Sequence, residues 1–315
     1  MKTTHRNYSD AAGDFNRLAN FLIANNDYAR QYSTWSMSRF VDWRHGLWGN
    51  KLSTPGYWDS NAHLWFDGFG ELAGFALSES GGPDFVIIPA PGYGFLFDEM
   101  LRWVLANWGG RGPNLEVEVT DQQTDAIQVL EGAGFRQCGR FSTRRFDLSS
   151  EPVRPAALED GFCIVDMQSH ADARQQRLLR LDAFQNLPAY ASEEEMQHEL
   201  AADAYYRANS PIYHAATDLC VLAPDGRYAS GCEALIDARN STADIERICT
   251  HSQFRQRGFA RAVIRECMFR LYHLGIRTVY ITGYSVAAIA LYGSLGHVAE
   301  KTSLIFKQEV GLKKE

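Results

Sequence analysis

Ile248-Cys-Thr-His-Ser-Gln-Phe-Arg-Gln-Arg-Gly-Phe-Ala-Arg-Ala-Val263 is the stretch on which the reading of this chain turns. It begins as the end of a strand (244–250), breaks at a polar turn, and passes through Gly258 into a helical pattern reaching about Leu274. A helix that opens on such a turn is an anion site. Its first N–H groups have no intrahelical partner, and the helix dipole adds positive potential there. Glycine at the turn lets the backbone approach a pyrophosphate with no Cβ in the way. Arg255, Arg257 and Arg261 place cations around the same turn. A glycine turn before a helix is common, so the motif needs company.

Company comes downstream. After a strand at 278–281 stands the short helical run Ser285-Val-Ala-Ala288-Ile-Ala-Leu291-Tyr292-Gly-Ser-Leu-Gly296-His297. The two stretches together resemble the signatures of the GNAT acetyltransferase family. The first signature is Arg/Gln-x-x-Gly-x-Gly/Ala, met by Arg255-Gln-Arg-Gly258-Phe-Ala260. The second is Asn-x-x-Ala-x-x-Leu-Tyr-x-x-x-Gly-Phe, met with Ser285 for Asn and His297 for Phe.

The resemblance implies acetyl-coenzyme A as co-substrate, with no metal. In the family the two strands flanking the turn-helix unit splay apart. The pantetheine arm lies along the first of them, which points to the main chain of Ile248, Cys249 and Thr250. The pyrophosphate falls to the amides of Gln256, Arg257, Gly258, Phe259 and Ala260, with Arg255 adding charge and Ser285 close by. The acceptor amine attacks the thioester directly, and by position Tyr292 is the acid that protonates the leaving thiolate.

A base must also take a proton from the ammonium form of the acceptor. Glu246 and Asp244 are two apart and share a strand face. Carboxylates on an otherwise apolar central strand need a reason, because unpaired burial is costly. Glu246 is the candidate base, the competing reading being an ion pair with Arg247 or Arg261. Cys249 and His251 also share a strand face, but a Cys/His nucleophile lacks an orienting third group, and direct transfer has no use for one.

The same order of elements occurs earlier in the chain. Strands at 71–79 and 85–88 precede the turn Pro91-Gly-Tyr-Gly94, a helical run at 95–105, a strand at 115–119, and a short helix ending at Gly134-Phe135. Gly94 to Gly134 spans 40 residues (134 − 94) and Gly258 to Gly296 spans 38 (296 − 258). The reading is an internal duplication, with domains at 1–150 and 151–315 joined near Ser149-Ser-Glu-Pro-Val-Arg-Pro155. The expected fold is α/β (α+β): two tandem GNAT-like domains, each a mixed, largely antiparallel sheet flanked by helices. The layout is similar to that of the mycothiol synthases and of bacterial tandem GNAT proteins.

The first copy reads as degenerate. Pro91 stands where Arg255 does, Leu96 replaces Ala260, and Leu130 replaces Tyr292, while Ala126 and Gly134-Phe135 persist as packing features. Its aromatic residues Trp35, Trp43, Trp48, Tyr57, Trp58, Trp65, Trp103 and Trp108 are expected in the core, with a share of them available to wall an acceptor cleft.

Composition bounds the rest. The chain has 315 residues, with 31 Lys and Arg against 38 Asp and Glu and a net charge of −7, which argues against sequence-independent nucleic-acid binding. No apolar run approaches the roughly 18 residues of a membrane span, and the N-terminal stretch has no signal-peptide core, so a cytoplasmic location is expected. The six cysteines show no zinc-ligand spacing; Cys163, Cys220, Cys232 and Cys249 fall in strand-like runs and read as buried thiols. The expected activity is N-acetyl transfer from acetyl-CoA to a primary amine, on a small-molecule or peptide acceptor. The alternative is a non-catalytic acyl-CoA-binding regulatory module.

Overall fold

The structure, a computed structural model, describes residues 2–46, 51, 54–184 and 192–309; Trp48 lies outside them. The chain forms two compact units: Met1–Thr143 with Lys301–Glu315, and Arg144–Glu300.

In the first unit the elements are β1 (Thr4–Asn7), α1 (Asp14–Ala24), α2 (Asn26–Tyr32), α3 (Met37–His45), α4 (Tyr57–Asn61), β2 (Ala62–Phe66), β3 (Leu72–Leu77), β4 (Asp84–Pro89), α5 (Phe97–Trp108), β5 (Asn114–Thr120) and α6 (Thr124–Gly132). The strand β6 (Arg136–Asp147) leads into the second unit, which holds β7 (Cys163–Asp166), α7 (Ala173–Ala183), α8 (Glu193–Asn209), β8 (Tyr213–Leu222), β9 (Tyr228–Asp237), β10 (Thr242–Thr250), α9 (Phe259–His273), β11 (Thr278–Gly283) and α10 (Val286–Gly293). The last strand, β12 (Ala299–Glu309), pairs antiparallel with β5 through Ser303–Glu309. The end of the chain therefore counts with the first unit in space, although it follows the second in sequence.

Each unit is a mixed, largely antiparallel sheet with helices against it. In the first, β1 to β4 pair antiparallel in chain order and β4 meets β5 in parallel. Trp35, Trp43, Trp65 and Trp108 are buried in its core. In the second, β7, β8, β9 and β10 pair antiparallel in chain order and β10 meets β11 in parallel. Strand alternation sends Leu219, Cys232, Ala234, Ala243 and Ile245 to the face covered by α9, and Cys220 and Cys249 to the face covered by α7.

The helix α9 shows why this face holds. Phe259, Val263, Ile264, Cys267, Met268 and Leu271 fall on one face at i, i+3 and i, i+4 spacings and are all buried. Each large apolar side chain buried this way contributes about 1.5–3 kcal/mol, so the stripe anchors α9 and fixes where its N-terminus points. Cys163, expected to be buried, is exposed. It sits on β7, the outermost strand of the second unit, where no further strand covers it. No helix among the described residues is long and apolar enough to cross a membrane.

Candidate active site

The site is built on a place where two parallel strands part. The strands β10 and β11 are paired only from Thr242–Thr278 to Asp244–Tyr280, although β10 continues to Thr250 and β11 to Gly283. Between Glu246 and Cys249 the register of β10 against β9 shifts by one residue, a β-bulge, with Arg247 in the left-handed region at φ 52°. Beyond the bulge β10 still pairs with β9 but has left β11, and a wedge opens between them.

Main-chain directions in that wedge follow from strand alternation. The His251 N–H donates to Ala229 at 3.0 Å, and the Cys249 carbonyl accepts from Ser230 Oγ at 2.7 Å, so both point toward β9. The peptide groups of Ile248 and Thr250 are thereby directed to the other side, into the wedge. The Cys249 thiol faces the α7 side among Met167, Leu179, Cys220 and Tyr228, and burial pushes it up to about 12. It stays a thiol at neutral pH, which removes the nucleophile reading.

After Thr250 the chain makes the turn that opens α9. The Ser252 N–H and Oγ both donate to Asp182 (2.7 Å for the hydroxyl), and the Gln253 N–H donates to His251 Nδ1 at 3.2 Å. Gln256 and Gly258 adopt left-handed conformations at φ 63° and 81°. A Cβ on Gly258 would have nothing within 4 Å, so glycine is required there by its dihedral and by whatever approaches the open N-terminus. The first turn of α9 carries no acidic residue. Arg261 reaches across it to the Ser294 hydroxyl at 2.7 Å.

A cavity of about 720 Å³ joins the wedge to this turn. Of the residues expected around the co-substrate, Ile248, Cys249, Thr250, Arg255, Gln256, Gly258, Phe259, Ala260 and Ser285 line it, and so does Tyr292. Arg257 does not. Its guanidinium pairs with Glu159 (Nε to Oε1, 3.1 Å) and lies over the Phe162 and Phe259 rings. Arg261 and Leu291, from the turn-helix and second signatures, also line the cavity, as do residues not singled out from the sequence: Phe254, Ala287, and Ala183–Phe184 at the end of α7. The last two come from a helix with no motif of its own, so only packing reveals them.

Tyr292 is 5% exposed, on α10. Its ring lies so close to Gly283 that a Cβ there would stand 3.2 Å from Cδ2; a glycine ending β11 is the sequence feature that goes with this placement. Burial raises the phenol well above its ordinary value, and the nearby charge of Glu246 raises it further. The proton therefore stays on Tyr292 through the neutral range. Glu246 is half-buried on β10, outside the cavity lining but within electrostatic reach of Tyr292. Arg247 and Arg261, the cations considered as its partners, bond to Glu233 at 2.8 Å and to Ser294. Ser285 caps α10 by accepting from the Ala288 N–H at 3.2 Å, the task open to the asparagine it replaces. Among the described residues no group of three or more His, Cys, Asp and Glu side chains is arranged to hold a metal.

In the first unit the equivalent strands also part. Pairing of β4 with β5 covers Asp84–Glu116 and Phe85–Val117. Here α2 and the residues after it bridge the two strands. Tyr28 Oη donates to the Ala90 carbonyl at 3.1 Å beyond β4, Thr120 Oγ1 of β5 donates to the Gln31 carbonyl, and Glu118 accepts from the Thr34 N–H and Oγ1 at 2.5 and 2.8 Å. The Tyr32 hydroxyl stands 3.4 Å from where a Cβ on Gly94 would be. The left-handed glycine of this turn is Gly92, not Gly94, and α5 carries Asp98 and Glu99 in its first turn. Acidic groups there oppose an incoming anion.

Comparison with known proteins agrees with this architecture. Residues 180–297 match the profile of the acetyltransferase (GNAT) family. No curated protein matches the chain. Among solved structures, a GCN5-related N-acetyltransferase from Sphaerobacter thermophilus superposes with a TM-score of 0.67 at 17% identity, covering 98% of this chain and 96% of that one. A tandem GNAT protein from the clavulanic acid biosynthesis pathway gives 0.68 at 10% identity, covering 99% and 100%. At these identities the likeness is one of fold.

Proposed function

We propose that this chain, whose residues 180–297 match the GNAT acetyltransferase profile and whose fold resembles that of a tandem GNAT protein, moves acetyl from acetyl-CoA to a primary amine in its second unit. The observation that carries this is a single cavity receiving the open N-terminus of α9, the wedge face of β10 and the buried Tyr292.

The residues fit coenzyme A. Amides of the Gln256–Ala260 turn, with Arg255, suit a pyrophosphate. The outward peptide groups of Ile248 and Thr250 suit an extended amide-bearing arm, added to β10 like another strand. Apolar Leu291, Phe254 and Phe259 wall the space between. When bound, acetyl-CoA supplies an activated thioester. The protein holds it in the wedge, excludes water from it, and presents two proton-handling groups. Glu246 accepts the proton of the acceptor ammonium. As the C–N bond forms and the C–S bond breaks, Tyr292 Oη gives its proton to the departing thiolate. A raised phenol value keeps that proton in place until it is needed.

The acceptor is a small molecule or peptide amine, and the reaction belongs in the cytoplasm. The first unit is a silent copy whose cleft is filled by its own α2 segment. The test is calorimetric titration with acetyl-CoA, followed by thiol release with a panel of amines. One equivalent bound, and release with at least one amine, is expected. No binding overturns the reading; binding without transfer to any amine favours a regulatory acyl-CoA module.

A further inference from the structure

Beneath the wedge lies a charge cluster that the proposed chemistry does not use. Glu233 on β9 is 1% exposed. Its Oε2 accepts from Arg247 Nη1 at 2.8 Å and from Arg180 Nη2 at 3.1 Å, and its Oε1 accepts from the Tyr206 hydroxyl at 3.2 Å. Burial alone would raise the Glu233 carboxyl; Arg247 and Arg180 outweigh it and hold the group below its ordinary range. The Arg247 guanidinium also lies 5.2 Å from the Tyr206 ring centroid. A charge taken this far from water is held only where its partners are well placed.

The cluster bears on the bulge. In a regular strand Ile245 and Ile248, three apart, would face opposite sides of the sheet. Both pack on the α9 side, because Arg247 is the extra residue. Its left-handed backbone is one that a non-glycine residue adopts at a cost. Arg247 turns its side chain to the α7–α8 face, where Glu233 receives it. The bulge follows directly on the point where β10 and β11 cease to pair: Asp244 is the last residue of β10 paired with β11, and the register shift lies between Glu246 and Cys249.

We propose that Glu233 is a positioning residue: its buried carboxylate holds Arg247 in the bulge, and the bulge sets the wedge in which Ile248, Thr250 and Tyr292 act. This rests on reading the cavity as the acetyl-CoA site, so the experiment has an arm that needs no ligand.

The variants are E233Q, R247G, R247A and the double variant E233Q/R247G, made in the full chain. Glycine adopts the left-handed conformation without help, so R247G keeps the bulge after losing the ion pair, whereas R247A loses the pair and still carries the Cβ that disfavours the conformation. By calorimetry with coenzyme A, E233Q and R247A weaken binding tenfold or more, and R247G less than threefold. In the R247G background, adding E233Q costs less than a further twofold, because the clamp no longer has a bulge to hold. Affinity of E233Q within twofold of wild type, or equal affinities of R247A and R247G, overturns the clamp. If E233Q does not fold, the two Arg247 variants decide. The ligand-free arm is amide hydrogen exchange at residues 248–250: at least fivefold altered in R247A, unaltered in R247G. If wild-type protein fails to bind coenzyme A, the functional reading falls and exchange alone decides: altered exchange in R247A supports the clamp, unaltered exchange overturns it.

Discussion

Two wedges can be set side by side in this molecule, and they differ in what occupies them. In each unit a parallel strand pair parts after two or three residues of pairing, and a helix starts beside the opening. In the second unit the opening is a cavity of about 720 Å³. In the first, Tyr28, Gln31 and Thr34 bond across it, and Tyr32 stands at the head of the following helix. The wedge is thus a property of the sheet, while the cavity is a property of what lies over it. An open wedge exposes polar backbone that some other group must satisfy, and in the first unit the α2 segment does so.

The sharpest way to break the comparison is to place a charge at both helix starts. Gly258→Glu puts a carboxylate at the open N-terminus of α9 and strains a left-handed position. It is expected to weaken acetyl-CoA binding more than about 100-fold, roughly 2.7 kcal/mol, by calorimetry. Gly94→Glu is expected to lower thermal stability, because Tyr32 is in its way, and to leave affinity within twofold. Equal losses at the two positions would make the first wedge a live site.

Next in size is Tyr292→Phe. Turnover is expected to fall about 100-fold, with coenzyme A affinity nearly intact. Because the phenol is raised, no basic limb below pH 10 belongs to it, and wild-type and variant pH–rate profiles should share the same shape on that side up to pH 10. Glu246→Gln follows, with turnover falling about 10- to 100-fold and the acid limb of the profile removed. An unmoved limb would assign the base to another group.

Smaller effects probe the filled wedge. Glu118→Gln disturbs a buried carboxylate that holds Thr34 and also accepts from Ser303 at 3.0 Å. It is expected to cost about 1–3 kcal/mol of stability in chemical denaturation, while coenzyme A still binds at one equivalent. Two equivalents would mean that the plug alone silenced the copy. The smallest effect is at Lys301, held down to about 8 by burial and by Arg30, against Glu118, Asp121 and Asp27. An unfolded lysine takes its proton near pH 10.4. Between about pH 8 and 10.4 the unfolded chain binds more protons, so stability rises with pH through that window and the penalty is complete below it. Lys301→Met should raise the melting temperature at pH 7 by a few degrees and flatten that dependence.

Legibility differed by element. The helix α9 and the strands flanking each glycine turn could be read from periodicity. So could the cavity lining near Gly258 and Tyr292, because backbone anion sites demand a particular local order of residues. Arg257 could not be placed from sequence: its guanidinium pairs with Glu159, far away in the chain, and lies outside the cavity lining. Ala183 and Phe184 carried no signal, since an apolar residue at a helix end looks alike whether it faces a core or a cavity. Gly283 was visible as a residue but not as a requirement until the Tyr292 ring was seen against it.

By itself the sequence determined the order of elements, the duplication and the turn that opens α9, all of which rest on local dihedral preference and short-range periodicity. Only the tertiary structure decided which wedge stays open, which strand the chain's end joins, and that Glu233 and Arg247 meet at the bulge. Those outcomes depend on contacts between residues distant in sequence, where burial and electrostatic pairing, not local propensity, select the partner.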